Sequence, residues 1–169
     1  CYYDNTVGSR SSSTKDADLA YIAGFFDGDG SLMLQLKKRS DSTRGVRFMA
    51  TICLYQDSRH EKTLLWIQKR VKCGYVSRRN DGITELRMQG FSQVKELLQE
   101  LLPYIRFKKK QAKLLIRACI MLEKSTLRTM TSRSMRAVAD LLLAIQSENY
   151  MSKGRRTKED LYQLLGLTP

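Results

Sequence analysis

The stretch Leu19-Ala20-Tyr21-Ile22-Ala23-Gly24-Phe25-Phe26-Asp27-Gly28-Asp29-Gly30 governs how the rest of the chain is read. Ala20, Gly24 and Gly28 recur at intervals of four, which puts three small residues on one stripe of an α-helix. A glycine inside a helix costs about 1 kcal/mol relative to alanine. Gly24 therefore needs a compensating contact, and the close approach of a second helix backbone supplies one. Packing against the protein's own core satisfies the same pattern. The helix ends in Asp27 and Asp29. Carboxylates are disfavoured at a helix C-terminus, where the dipole is negative. A divalent cation offsets that cost, because Asp and backbone carbonyl oxygens are the ligands magnesium takes. An Asp-Gly turn is the plain alternative for the same residues. An EF-hand loop is excluded: no Glu closes it and the acidic spacing is wrong.

Upstream, Thr14 reads as the N-cap of this helix, with Asp16 and Asp18 in its first turn, so the helix is predicted over about Ala17 to Gly28. Residues 1–14 are Ser-rich and lack an apolar segment; the expectation is a flexible N-terminal segment that is not a secretory signal. Downstream, residues 31–39 alternate, with Leu32, Leu34 and Leu36 on one face and Met33, Gln35, Lys37 and Arg39 on the other. After a polar loop at residues 40–45 a second alternating run puts Val46, Phe48, Ala50, Ile52 and Leu54 inward, against Arg47, Met49, Thr51, Cys53 and Tyr55. The two runs predict a hairpin. Ser58 and Glu61 match a capping box, opening a helix with Leu64, Ile67 and Val71 at helical spacing and a stop at Cys73-Gly74.

A second hairpin follows, residues 75–79 and 83–89 around an Asn80-Asp81-Gly82 turn, then a helix with Val94, Leu97, Leu98 and Leu101 ending at Pro103. Further helices are predicted over about Gln111–Leu122, Ser134–Gln146 and Thr157–Leu165, the last with Thr157 as N-cap, Asp160 at N3 and Gly166 as its stop. The sum is an α+β chain, αββαββα with an antiparallel sheet and C-terminal helices: a single domain over residues 15–169, its core about 17–122 and its C-terminal helices 123–169.

Thirty Lys and Arg against 17 Asp and Glu give a formal net charge of +13 over 169 residues, which favours a polyanionic partner. No run of apolar residues is long enough for a membrane span. The four cysteines, Cys1, Cys53, Cys73 and Cys119, are scattered without a CxxC pair and predict neither a zinc site nor a disulfide framework. The expectation is a reducing, intracellular setting. The outward strand faces are rich in Arg, Lys, Gln, Thr and Tyr. A solvated face accounts for that composition, and so does a β-ribbon that reads base edges and phosphates in a DNA groove.

Residues 19–31, LAYIAGFFDGDGS, resemble the motif of the LAGLIDADG homing endonucleases, in particular the single-motif, homodimeric branch. Gln56 after the second strand, Gly74-Tyr75-Val76 at the start of the third, and residues 103–112 (PYIRFKKKQA) fall where that branch has its counterparts, so the resemblance covers roughly residues 17–122. It implies a homodimer joined through Ala20, Ala23 and Gly24. It implies that Asp29 is the catalytic carboxylate and a metal ligand, with the Gly28 carbonyl as a second ligand. The metal would be Mg2+, two or three divalent ions shared across the dimer axis.

Gln56 and Lys108 match two positions of the family's polar, solvent-ordering catalytic pocket. A third position, usually basic, holds His60, a departure; His60 sits in the first turn of a helix, where a cation is disfavoured. Lys109 and Lys110 read as phosphate contacts or a solvated run. The outward strand faces would form a curved, saddle-shaped DNA surface from Gln35, Lys37, Arg39, Arg47, Thr51, Tyr55, Tyr75, Ser77, Arg79, Glu85 and Arg87. On it Arg pairs with guanine, Gln with adenine, Glu accepts from cytosine, and Met33 and Met49 meet thymine methyls. Residues 152–158 (SKGRRTK) form a basic loop suited to phosphates.

The implied function is a metal-dependent double-strand break at a long, near-palindromic DNA site, promoting mobility of a host intron. An intron-splicing maturase and a non-cleaving DNA-binding regulator are the alternatives; the intact Asp29 favours the nuclease.

Overall fold

Helix α1 (Val7–Asp29) runs directly into strand β1 (Gly30–Lys38), which pairs antiparallel with β2 (Val46–Asp57), Leu34 opposite Ala50. A 3-10 turn (Ser58–His60) leads to α2 (Lys62–Val71) and a second hairpin, β3 (Tyr75–Arg78) and β4 (Ile83–Gln89). Helices α3 (Phe91–Leu101), α4 (Lys109–Glu123), α5 (Ser132–Glu148) and α6 (Lys158–Leu165) complete the chain. The computed structural model describes residues 7–38, 45–149 and 156–167, with the side chains of 7–14 left aside. The two hairpins join through β2 and β4, Cys53 opposite Arg87, giving one sheet in the order β1-β2-β4-β3.

Strict alternation produces the layering. Leu32, Leu34, Leu36, Phe48, Ile52, Leu54, Leu86 and Met88 all point to one side and are buried there. Ile22 and Phe26 of α1, Leu64 and Ile67 of α2, and the apolar stripes of α3 and α4 cover them. Helices α5 and α6 extend the same core through Leu142, Ile145, Leu161 and Leu165. The opposite face bears the polar and basic residues, and among the described residues Gln35, Lys37, Arg47, Met49, Tyr55 and Arg87 on it are exposed or partly exposed. Gly74 permits the β3 approach: its φ is +86°, and a Cβ there would lie 2.6 Å from Met88 Cγ and 2.7 Å from the Arg87 carbonyl.

Two local readings are corrected. Helix α1 begins at Val7, so Thr14 lies inside it and is not its N-cap. Once the packed segment has formed, each added residue gains a hydrogen bond at little cost, and the helix extends back through the Ser-rich run. The rest of the expected flexible segment, residues 1–6, lies outside the described residues. The Ser58–Glu61 capping box does not form. Asp57 caps the 3-10 turn by accepting from Arg59 N at 2.8 Å. Ser58 Oγ instead meets Thr84 Oγ1 at 2.8 Å, and the Glu61 carboxylate turns to Arg78 on β3. A guanidinium and a cross-element hydroxyl outcompete the backbone amides for these two side chains. The Thr157–Asp160 capping box and the Gly166 stop do form as predicted.

Candidate functional site

The two aspartates at the end of α1 have different surroundings. Asp27 is buried, and its carboxylate accepts from the backbone N–H groups of Arg106 (2.6 Å), Phe107 (3.2 Å) and Lys108 (3.0 Å). It thereby satisfies three successive amides of the turn that leads into α4, the last of them the helix's N-cap, where a carboxylate is favourable. Asp29 is exposed, and no described residue bonds to its carboxylate. The cost of ending α1 in carboxylates is thus offset for Asp27 by protein donors rather than by a cation.

Lys108 returns the connection. Its Nζ donates to the carbonyls of Phe26 (3.0 Å), Asp27 (2.5 Å) and Gly28 (3.4 Å), closing the C-terminus of α1, and lies 5.9 Å from the Phe26 ring centroid. Burial pulls the ammonium's pKa below the ordinary lysine value, and the charges of Asp27 and Asp29 pull it back up. Asp29, Lys108 and the Gly28 carbonyl are therefore brought together, as expected. The Gly28 carbonyl is shared with the lysine at long range and keeps a lone pair to offer. Among the described residues no group of three acidic, His or Cys side chains gathers to hold a metal ion. One copy of the chain supplies one carboxylate.

Gln56 is half-buried at the end of β2; its Oε1 accepts from Asp57 N at 2.9 Å, which leaves its amide nitrogen for other acceptors. His60 is exposed at the end of the 3-10 turn. Behind them lies a network that sequence reasoning missed: Ser58, Thr84, Glu61 and Arg78, with Thr84 Oγ1 also donating to Glu61 at 3.2 Å. The hydrogen bond from Arg78 lowers the Glu61 carboxyl's pKa.

Of the expected interface residues, Ala20 and Gly24 are exposed, and nothing lies within 4 Å of a Cβ built at Gly24 or Gly28. Ala23 is a correction: it is fully buried in this chain's own core and cannot meet another copy. Positions 20, 24 and 28 share one side of the helix, whereas 23 aligns with the apolar side of Ile22 and Phe26. Beside the open stripe, Tyr21 and Trp66 stack edge to face, 5.5 Å between centroids, both exposed. Neither was singled out in the sequence.

On the outward sheet face, Gln35, Lys37, Arg47, Tyr55, Tyr75, Ser77 and Arg87 are exposed or partly exposed, with Met33 and Met49 among them. Arg79 is exposed in the hairpin turn, paired with Asp81 at 2.7 Å. Arg39 and residues 152–155 lie outside the described residues. Two expected base contacts are corrected. Thr51 is fully buried, because it sits between the longer Met33 and Gln89 of its neighbouring strands. Glu85 is 6% exposed, and Arg87 Nε and the Cys53 thiol both donate to it.

A family model described as LAGLIDADG endonuclease matches residues 22–121. DNA endonuclease I-CvuI of Chlorella vulgaris is 36% identical over 97 residues, 57% of this chain and 60% of that protein. DNA endonuclease I-CreI of Chlamydomonas reinhardtii is 27% identical over 99 residues, 59% of this chain and 60% of that one. The chain thus aligns with about 60% of the length of these relatives. A crystal structure of the homing endonuclease I-CvuI, in complex with the I-CreI target in 2 mM magnesium with the DNA not cleaved, superposes with a TM-score of 0.82. Its identity is 27%, covering 92% of this chain and 99% of that one. The archaeal intron-encoded homing endonuclease I-Vdi141I, complexed with DNA, shares the fold at a TM-score of 0.78 and 15% identity, over 90% of this chain and 96% of that one. With the motif at the end of α1, the doubled strand-strand-helix unit and a family match over residues 22–121, the chain belongs to the LAGLIDADG endonuclease family.

Proposed function

We propose that two copies of this chain form a site-specific, divalent-metal-dependent DNA endonuclease that makes a double-strand break in a near-palindromic target. The observation that carries the reading is Asp29: an exposed carboxylate with no bonded partner among the described residues, at the end of a helix whose adjacent stripe, Ala20-Gly24-Gly28, is open to a second backbone. One carboxylate per copy suits a site completed across a two-fold axis, and protein symmetry then sets target symmetry.

Asp29 and the Gly28 carbonyl would hold the metal; their oxygen donors suit magnesium. The relative I-CvuI has been crystallised on DNA in the presence of magnesium and of calcium. When bound, such ions neutralise phosphate charge and activate water. The chain's own residues do the rest. Lys108, anchored on the α1 carbonyls, holds its amine beside Asp29. Gln56 offers an amide for ordering solvent. Lys37, Arg47 and the other basic groups of the open sheet face meet phosphates and base edges. His60, exposed at the rim, takes no assigned step. Cleavage of this kind would promote mobility of a host intron, as the family resemblance implies.

The test uses a library of duplex DNA incubated with the protein in magnesium and in chelator, for the wild type and Asp29→Asn. Metal-dependent cutting at one long, near-palindromic site, lost in Asp29→Asn with binding retained, is the expected result. Tight duplex binding without cutting in any divalent metal would sink the proposal and leave a regulator or a maturase.

A further inference from the structure

Glu85 lies on the sheet face that points away from the core, yet it is 6% exposed and its carboxylate is occupied. Arg87, two residues along β4 and so on the same face, donates through Nε to Glu85 Oε1. Cys53, directly across on β2 from Arg87, donates its thiol to the same oxygen at 3.6 Å. Burial pushes that thiol up to about 11, so it stays a donor at neutral pH. A carboxylate enclosed in this way cannot also turn outward to accept from a cytosine.

The pairing has the opposite effect on Arg87. With Nε committed to Glu85, the two terminal nitrogens remain, side by side at the far end of the guanidinium, and the side chain is 25% exposed between Cys53 and Tyr75. Two parallel N–H donors match O6 and N7 of guanine in the major groove. An arginine already held by an ion pair loses less rotamer freedom when it binds.

We propose that Glu85 is a positioning residue that clamps Arg87 as the reader of one guanine in each half-site; this rests on the endonuclease reading above. The row Ser31–Cys53–Arg87–Tyr75 crosses the sheet, and Ser31 is two residues from Asp29. Two strand spacings and two residues of rise put Arg87 about 12 Å from the end of α1. At about 3.4 Å per base pair, the guanine lies about four base pairs from the cleaved phosphate.

The experiment presents the wild type, Glu85→Ala, Glu85→Gln and Arg87→Ala with duplexes randomised across the target, in magnesium, and sequences the cut products. The wild type should enrich guanine at one symmetry-related pair of positions. Arg87→Ala and Glu85→Ala should each lower that enrichment about tenfold or more at the same positions and leave others unchanged. Glu85→Gln, whose amide oxygen still accepts from Nε, should weaken it less. Loss at different positions in the Glu85 and Arg87 variants overturns the clamp, as does unchanged selectivity in Glu85→Ala. Should Glu85→Ala unfold, Glu85→Gln carries the test, and a shift at any other position overturns the clamp equally. A wild type that neither selects nor cuts any duplex defeats the endonuclease reading itself, a result distinct from selection by the wild type with unmoved variants.

Discussion

Asp27 and Asp29, two residues apart, have separate duties, and substitution should divide them. Asp27→Ala strips three backbone donors of their acceptor in a buried place. We expect a loss of about 3 kcal/mol or more of unfolding free energy, read from urea melts. Asp29→Asn removes an exposed charge from a helix C-terminus, and stability should move by less than about 0.5 kcal/mol while cutting disappears. Equal destabilisation by both would contradict the assignment. A second residue-scale effect concerns alkaline pH. Burial pushes the Cys119 thiol from 9.0 up to about 12. The folded thiol therefore keeps its proton where the unfolded one has lost it. Its contribution is whole below pH 9 and falls as pH rises toward 12. Lys108, displaced downward, acts with the opposite sign. Cys119→Ala should flatten the alkaline decline in unfolding free energy relative to the wild type, although it costs about 1 kcal/mol at neutral pH.

Among elements, α1 presents two faces that respond differently to the same change. Gly24→Arg projects into open space, and Ala23→Arg projects into the core. The first should leave the subunit folded but monomeric by sedimentation and inactive on duplex; the second should abolish soluble expression. Periodicity made the elements legible in the sequence, because alternation and helical spacing are local properties of the chain. The buried residues of β1 follow it residue by residue, while in β2 and β4 the outward Thr51, Cys53 and Glu85 are buried as well by their cross-strand neighbours. Contacts between distant segments escaped it. Asp27 reaches residues about 80 positions away, and Ser58 and Glu61 abandon a plausible local cap for partners on β4 and β3. The family resemblance supplied Asp29 and Lys108 as a pair, but not that the lysine seats itself on helix carbonyls. Ala23 came to the interface only through the family resemblance; it lies off the Ala20-Gly24-Gly28 stripe, on the buried side with Ile22 and Phe26.

For the whole molecule, the net charge of +13 and the open basic sheet predict strongly salt-dependent DNA binding. Affinity should fall steeply between 50 and 200 mM salt, roughly by a thousandfold if the face contacts on the order of six phosphates; a flat dependence in a filter-binding titration would remove the sheet as the DNA surface. The Lys108 link gives the molecule a further property. The negative end of α1 carries a tethered cation of its own, supplied from the start of α4. A cation supplied by the fold itself lets the helix end stand without a bound ion: on the endonuclease proposal, chelator should extinguish cutting without lowering the melting temperature.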